Sequence, residues 1–305
     1  MTVIRAGMLT TVQDLGRWGQ QHLGVPVAGP MDWYSHRLAN GALGNAPDAA
    51  ALEITLMGPD LVSDADVLCA VAGAEFDVTA GDRRVRWQEP FLLHAGERLR
   101  FGNRLDGARA TLAVNGGFAV RPVLGSRSTS LTARLGPLDG RAVRIGDVLP
   151  IGQPSATGRR EVGRPLPLPR GGARLRVIMG PHENRFTEAS RRVFSRTRYV
   201  VTPDSNRMGY RLDGTRLEYA GRKELLSDAT PMGSVQVPPS GAPILLMADR
   251  QTTGGYPKIA TVISADLPLA GQLAPGDWIE FEPCSRTAAI EALRRREASL
   301  VGTAP

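Results

Sequence analysis

The sequence predicts a mainly β chain with a few helices, folded as two β-rich halves. Its apolar runs are short and closely punctuated, with 35 Gly and 23 Pro among 305 residues, as the many turns of a sandwich or barrel require. A six-residue pattern, Gly-acid-x-apolar-x-apolar, occurs at 96–101, 146–151 and 276–281. Each copy reads as a turn feeding a strand, and the third lies in the second half. Between the halves, 152–172 is rich in Pro and Gly and reads as a linker. The expected organisation is an N-terminal β-rich domain (1–151), the linker (152–172), a C-terminal β-rich domain (173–285), and a helix with tail (286–305).

In chain order, Val3 and Ile4 open a strand that runs into the polar, glycine-spaced segment Gln13-Asp14-Leu15-Gly16-Arg17. That segment reads either as a surface loop with an ion pair or as a ligand-facing one. Asp32 can cap a helix with Tyr34, Leu38 and Ala42 on one face, ending at Gly44-Asn45. Short strands follow at 52–56, 67–72, 76–79, 91–94, 97–101 and 110–114. The loop 123–130 places Arg127 among four hydroxyls, including Ser128. Alone it is a Ser/Thr-rich turn, although hydroxyls and a guanidinium also suit an oxyanion. Beyond the linker come a strand at 175–179 and a helix from Glu183 to about Ser195 with Phe186 on its inner face. A strand at 199–201 and a loop with Asn206, Arg207 and Arg211 follow. The tail from Thr287 reads as an amphipathic helix with Ile290 and Leu293 inward.

The most polar stretch lies between two apolar runs, 244–247 and 259–263. Asp249, Arg250, Gln251, Thr252, Thr253, Tyr256 and Lys258 surround Gly254-Gly255 there. A bare hairpin turn needs only the glycines, so the extra polar groups point to a ligand-facing loop. Only two of the 37 basic residues are lysines, Lys223 and Lys258. A lysine in this loop suggests a need for a compact ammonium that arginine does not replace.

The net charge of +7 is scattered, with short clusters at 159–160, 191–192 and 294–296, and only 5% of residues are aromatic. No basic stripe interleaved with stacking rings exists, so no nucleic-acid partner is expected. Cys69 and Cys284 lie far apart, which fits neither a disulfide framework nor a cysteine zinc site. No apolar run reaches membrane-spanning length and the N-terminus lacks an apolar leader core, so a cytoplasmic chain without membrane contact is expected. P-loop, Gly-x-Gly-x-x-Gly, His-Glu-x-x-His and Gly-x-Ser-x-Gly patterns are all absent, and no metal site is expected.

Six segments together carry a family resemblance: 11–17, 29–32, 39–45, 125–129, 205–209 and 249–257. In this order the chain resembles the family called allophanate hydrolase subunit 2, KipA-like or 5-oxoprolinase C subunit. That family is similar to part of the carboxyltransferase domain of biotin-dependent urea carboxylase. One departure is at 135–141, where the family's Gly-Gly pair before Gly-Arg is missing. The resemblance implies cyclophilin-like β-barrel halves. It also implies the C subunit of an ATP-dependent 5-oxoprolinase, a hydrolase that opens 5-oxo-L-proline to L-glutamate. Its partners would be a KipI-like protein of the 5-oxoprolinase B type, together with a LamB/YcsF-like protein of the A type. ATP would be a co-substrate of the complex, and the isolated chain would be inactive. Two alternatives stand. One is a carboxyltransferase subunit of a urea or amide carboxylase, or of an allophanate hydrolase-type system, with carboxybiotin carried on another protein. The other is a KipA-type regulator antagonising a kinase inhibitor.

For the site, the loops at 13–17, 125–129, 205–211 and 249–258 are expected to converge. Asp249 is the expected base, with Lys258 and Tyr256 beside it as catalytic residues. Arg127, Ser128, Asn206, Arg207, Arg250, Gln251, Thr252, Thr253, Gln13, Asp14 and Arg17 would bind substrate or anion. The alternative for Asp249 is a simple pairing with Arg250 that braces the turn.

Overall fold

A computed structural model describes residues 1–154, 163–221 and 225–300. The expected linker's 155–162, with its Arg159-Arg160 cluster, Lys223 and the tail's 301–305 lie outside the described residues. The chain divides into two compact units, Met1–Trp18 with Val27–Leu168 and Ala298–Pro305, and Gly19–Pro26 with Pro169–Glu297.

The first unit holds strands β1 (Thr2–Arg5), β2 (Leu9–Gln13), β3 (Ala51–Thr55), β4 (Asp60–Val62), β5 (Val67–Ala80), β6 (Arg83–Arg84), β7 (Phe91–Leu93) and β8 (Arg98–Val114). They form one eight-stranded sheet with the path β1-β4-β8-β3-β2, to which β5 adds through β8. Helix α1 (Trp33–Ala42) covers part of it. Residue size alternates accordingly along β5. Cys69 and Val71 enter the main apolar core, while Ala70 and Ala72 lie under the helix with Tyr34, Leu38 and Ala42. Alanine on that face lets helix and sheet approach closely. Asp32 caps α1 by accepting from the Ser35 N–H at 2.9 Å and its hydroxyl at 2.6 Å.

Two pairs of expected strands are fused. The breaks read at 73–75 and 102–109 are irregularities inside β5 and β8, whose register shifts between Gly73 and Glu75 and again up to Val78. Gly73 has φ 93°, and such a bulge bends a strand without ending it. Past β8, a short helical turn α2 (Pro137–Gly140) contains Leu138 and Asp139 at φ 54° and 57°. These left-handed residues sit in the segment where the resembled family's Gly-Gly pair is missing. The left-handed turn is therefore made without glycine at those two positions, at a local cost of roughly 1–2 kcal/mol per residue.

The second unit closes into a barrel in the order β10-β11-β14-β13-β16-β9-β17. Its strands are β9 (Gly172–Met179), β10 (Arg198–Val201), β11 (Gly209–Asp213), β13 (Ser234–Gln236), β14 (Ile244–Leu246), β16 (Lys258–Val262) and β17 (Trp278–Pro283). A separate ribbon pairs β12 (Asp228–Ala229) with β15 (Thr253–Gly254). The helices are α3 (Glu188–Phe194), α4 (Leu267–Gly271) and α5 (Arg286–Ala298). Phe194 stacks on Phe281 at 4.7 Å, tying α3 to the barrel. That helix is shorter than the sequence suggests. Thr187 caps it by accepting from the Ser190 N–H, whereas Phe186 is extended and stacks on Tyr219. In α5 the inward positions differ in part: Leu293 packs beside buried Ala292 as expected, whereas Ile290 is 43% exposed.

The recurring six-residue motif is a structural device. Gly96, Gly146 and Gly276 all have positive φ. The following acid accepts from the N–H three residues earlier: Glu97 from His94, Asp147 from Arg144 and Asp277 from Ala274, at 2.7–2.8 Å. Each acid's own N–H donates back to that same residue's carbonyl. This reciprocal clasp turns the chain into β8, the 148–151 segment and β17, which makes the mostly β architecture legible from the motif.

Candidate functional site

Strands β14 and β16 do not pair with each other; both flank β13. The polar stretch between them therefore crosses the end of β13 and is no hairpin turn. Within it, β15 pairs with β12 in the register Asp228 with Gly254 and Ala229 with Thr253. This ribbon delivers Asp228 to Lys258. The Lys258 ammonium donates to Asp228 Oδ2 at 2.6 Å and to the Ala229 carbonyl at 2.7 Å. The lysine side chain is buried, at 4% exposure, and that of Asp228 is open, at 55%. Hydrogen bonds from Lys258 and from the Ala229 N–H hold the Asp228 carboxyl below its ordinary range. Its charged form is favoured on a partly solvated edge.

Behind this pair, the Lys258 N–H donates to His182 Nδ1 at 3.2 Å. Gly180 makes that approach possible, since a Cβ there would meet the Lys258 carbonyl at 2.3 Å. Burial lowers the His182 pKa, and the charges of Lys258 and Arg185 lower it further against the pull of Asp228.

A second ion pair lies in the same unit. Arg207 Nε and Nη2 donate to the two oxygens of Asp249, each at 3.1 Å. Both side chains are at most 3% exposed. The Asp249 N–H also donates to the Arg207 carbonyl at 2.8 Å. The partner of Asp249 is thus Arg207, and Arg250 turns elsewhere, its Nε donating to the Thr230 carbonyl at 2.7 Å. Burial brings the Arg250 pKa down to about 10, opposed by Asp249. Thr230 also donates from its hydroxyl to the Gln251 carbonyl and from its N–H to that of Thr252.

Beside this braced loop is a cleft of about 150 Å³, lined among others by Asn206, Met208, Arg211, Gln236, Gln251 and Tyr256. Gln251 Nε2 donates to Gln236 Oε1 at 3.3 Å, and Gln236 Nε2 to the Tyr256 carbonyl at 3.4 Å. Asn206 Oδ1 accepts from the Met208 N–H at 2.8 Å, fixing the turn that presents the 205–211 loop. Tyr256 and Thr253 are exposed. The 205–211 and 249–258 loops therefore come together within this unit.

In the first unit, the 13–17 and 125–129 segments meet around one carboxylate. Asp14 Oδ1 accepts from the hydroxyls of Ser126 and Ser128, both at 2.6 Å, and from the Gly16 N–H at 3.0 Å. Its Oδ2 accepts from the Arg127 N–H at 2.5 Å. Burial alone raises the Asp14 pKa, but these four donors outweigh it and lower the value. Arg17 Nε donates to the Val123 carbonyl at 2.8 Å and Nη2 to that of Ser128 at 2.9 Å. Arg127 Nε donates to the Val120 carbonyl at 2.9 Å. Gln13 Nε2 donates to Thr11 Oγ1 and to the Thr129 carbonyl, both at 3.0 Å.

Asp228, His182, Gln236 and Thr230 do not stand out in the sequence. Asp228 lies some thirty residues before Lys258 with no glycine or motif to mark it; only the β12–β15 pairing joins them. Among the described residues, no group of three or more His, Cys, Asp or Glu is placed to hold a metal. No described helix is long and apolar enough to cross a membrane.

The family model described as carboxyltransferase domain, subdomain A and B, matches residues 23–283. The chain is 42% identical over 294 residues to the 5-oxoprolinase C subunit of Escherichia coli (strain K12), covering 96% of this chain and 94% of that protein. It is 38% identical to the 5-oxoprolinase C subunit of Haemophilus influenzae, covering 95% and 93%. Among solved structures it is similar to the Kluyveromyces lactis urea amidolyase, with a TM-score of 0.93 and 32% identity. That match covers 98% of this chain but only 19% of the amidolyase.

Proposed function

Because the chain belongs to the carboxyltransferase domain family, subdomains A and B, we propose that it is the C subunit of an ATP-dependent 5-oxoprolinase, opening 5-oxo-L-proline to L-glutamate. The observation that carries this reading is the match along 94% of a 5-oxoprolinase C subunit, at 42% identity. The urea amidolyase match supports a second reading, a carboxyltransferase subunit served by carboxybiotin on another protein. It is lower in identity and spans a small fraction of that enzyme.

In either reading the working centre is Lys258 with Asp228. The ammonium is oriented by two acceptors, and among the described residues its third hydrogen is unclaimed. An oriented cation at a buried edge stabilises charge developing on an amide or carboxylate oxygen, because it needs no reorganisation as the charge forms. Asp228, half open, is the carboxylate within reach of a substrate proton. We assign Asp249 to bracing, since both its oxygens accept from a buried guanidinium. Gln251, Gln236, Asn206 and Tyr256 line the adjacent cleft and supply neutral hydrogen bonding suited to a small amide.

Arg250 and Arg127 each donate to a carbonyl of the chain, and Arg207 to Asp249. These side chains are engaged in the fold, and we assign ATP binding to a partner protein. A KipI-like protein of the B type, with a LamB/YcsF-like protein of the A type, completes the proposed complex.

The test is reconstitution. The purified chain should show no 5-oxoproline-dependent ATP hydrolysis, and addition of the A-type and B-type proteins should restore it. Robust turnover by the chain alone, or none after reconstitution with both partners, would count against the assignment.

A further inference from the structure

Lys258 makes two side-chain hydrogen bonds, to Asp228 and the Ala229 carbonyl, so among the described residues one ammonium hydrogen is left over. His182 accepts the Lys258 N–H through Nδ1. A neutral imidazole that accepts at one nitrogen carries its proton on the other. Nδ1 is thereby fixed as the acceptor and Nε2 as the N–H donor. Among the described residues nothing accepts from Nε2. The ring is partly buried, and it is close enough to Lys258, Asp228 and Arg185 for their charges to act on it. That N–H is therefore available to water or to a ligand.

We propose that His182 is a substrate-binding member of the Lys258 site, its Nε2–H donating to the same substrate oxygen that the Lys258 ammonium addresses, so that the two form an oxyanion site for a carbonyl or carboxylate. This rests on the assignment of Lys258 and Asp228 as the working centre. The role requires a neutral ring, because protonation would place a hydrogen on Nδ1 against the Lys258 N–H. Burial and the two neighbouring cations favour the neutral form, and Asp228 alone opposes it. The close approach at Gly180 is part of the same arrangement, since any side chain there would push the 180–182 turn off β16.

The experiment has a spectroscopic and a kinetic arm. Imidazole ¹⁵N shifts of the full chain at neutral pH should identify His182 as the Nε2–H tautomer; an Nδ1–H tautomer or an imidazolium overturns the proposal without any assay of turnover. His182→Asn keeps an acceptor for the Lys258 N–H and removes the Nε2–H. In the reconstituted complex it should keep the wild-type Tm while kcat falls about 10²-fold, the size of losing one oxyanion donor. If His182→Asn retains wild-type kcat while Lys258→Met abolishes it, His182 only supports the backbone and the proposal fails alone. If both variants retain wild-type kcat, the assignment of the Lys258 centre fails and takes the proposal with it.

Discussion

The barrel unit contains two ion pairs built from the same loop, and they differ in what they leave over. Arg207 and Asp249 are closed: both carboxylate oxygens accept from the guanidinium, and both side chains are shut away from water. Lys258 and Asp228 are open: the cation is buried but its partner is half in solvent, and among the described residues one ammonium hydrogen remains. A closed fork–fork pair fixes geometry, and breaking it leaves an expensive buried charge behind. An open pair holds an oriented charge at an edge that a substrate can reach. The difference separates holding the loop from acting through it.

The sharpest way to break this comparison is Asp249→Ala. Removing one partner of a buried pair costs about 3–5 kcal/mol. At about 2–4 °C per kcal/mol for a unit of this size, Tm should fall by roughly 10 °C. Thermal denaturation of the isolated chain reads this directly, and an unchanged Tm would show that the pair braces nothing. Lys258→Met should do the opposite. Asp228 is solvated when it loses its partner, so Tm should move by only a few degrees. Turnover of the reconstituted complex should drop about 10²–10³-fold. A Lys258 variant that unfolds, or one that works normally, would erase the distinction.

Much of the fold was legible because its signals are local. The clasp that makes each of the three Gly-acid turns is closed within four residues. The Asp32 cap reaches three residues ahead. The bulge at Gly73 reads as a break, because a glycine inside a strand looks the same in sequence as one between strands. Of the candidate site, Lys258 stood out by its rarity and Asp249 by its polar neighbours. The partners of both were hidden. Arg207 lies 42 residues before Asp249 and Asp228 lies 30 before Lys258, and only sheet order or the ribbon register joins them. His182 carried no motif, and its value depends on one backbone hydrogen bond across to β16.

A third carboxylate sharpens the comparison from the other unit. Asp14 is held by four neutral donors and, among the described residues, by no cation. Asp14→Asn should cost about 1–3 kcal/mol at neutral pH, the range for disturbing a buried hydrogen-bonded group. The folded-state pKa of Asp14 is depressed below its ordinary value of 3.8. Its contribution is therefore fully present above about pH 4 and is lost as pH falls through the folded value. Urea unfolding of the wild type and the variant should differ at pH 7 and converge towards pH 2. A gap that persists at pH 2 would mean that the cradle acts by shape and not by the carboxylate's charge.

The smallest expected effect marks how far the open side of the Lys258 centre extends. Tyr256 is 44% exposed and lines the cleft beside the loop. Its carbonyl is engaged by Gln236, so the backbone there is held whatever the side chain does. Tyr256→Phe removes one hydroxyl at a solvated edge and should leave Tm unchanged. A neutral hydrogen bond to bound substrate contributes about 0.5–1.5 kcal/mol, so the variant should raise KM about 2–12-fold with kcat preserved. That split belongs to a group that binds ground state and transition state alike. A fall in kcat comparable to that of Lys258→Met would instead place the phenol inside the centre, and the open side would include the whole cleft. No change in either constant would confine the centre to Lys258, Asp228 and His182, with the cleft only a neighbour.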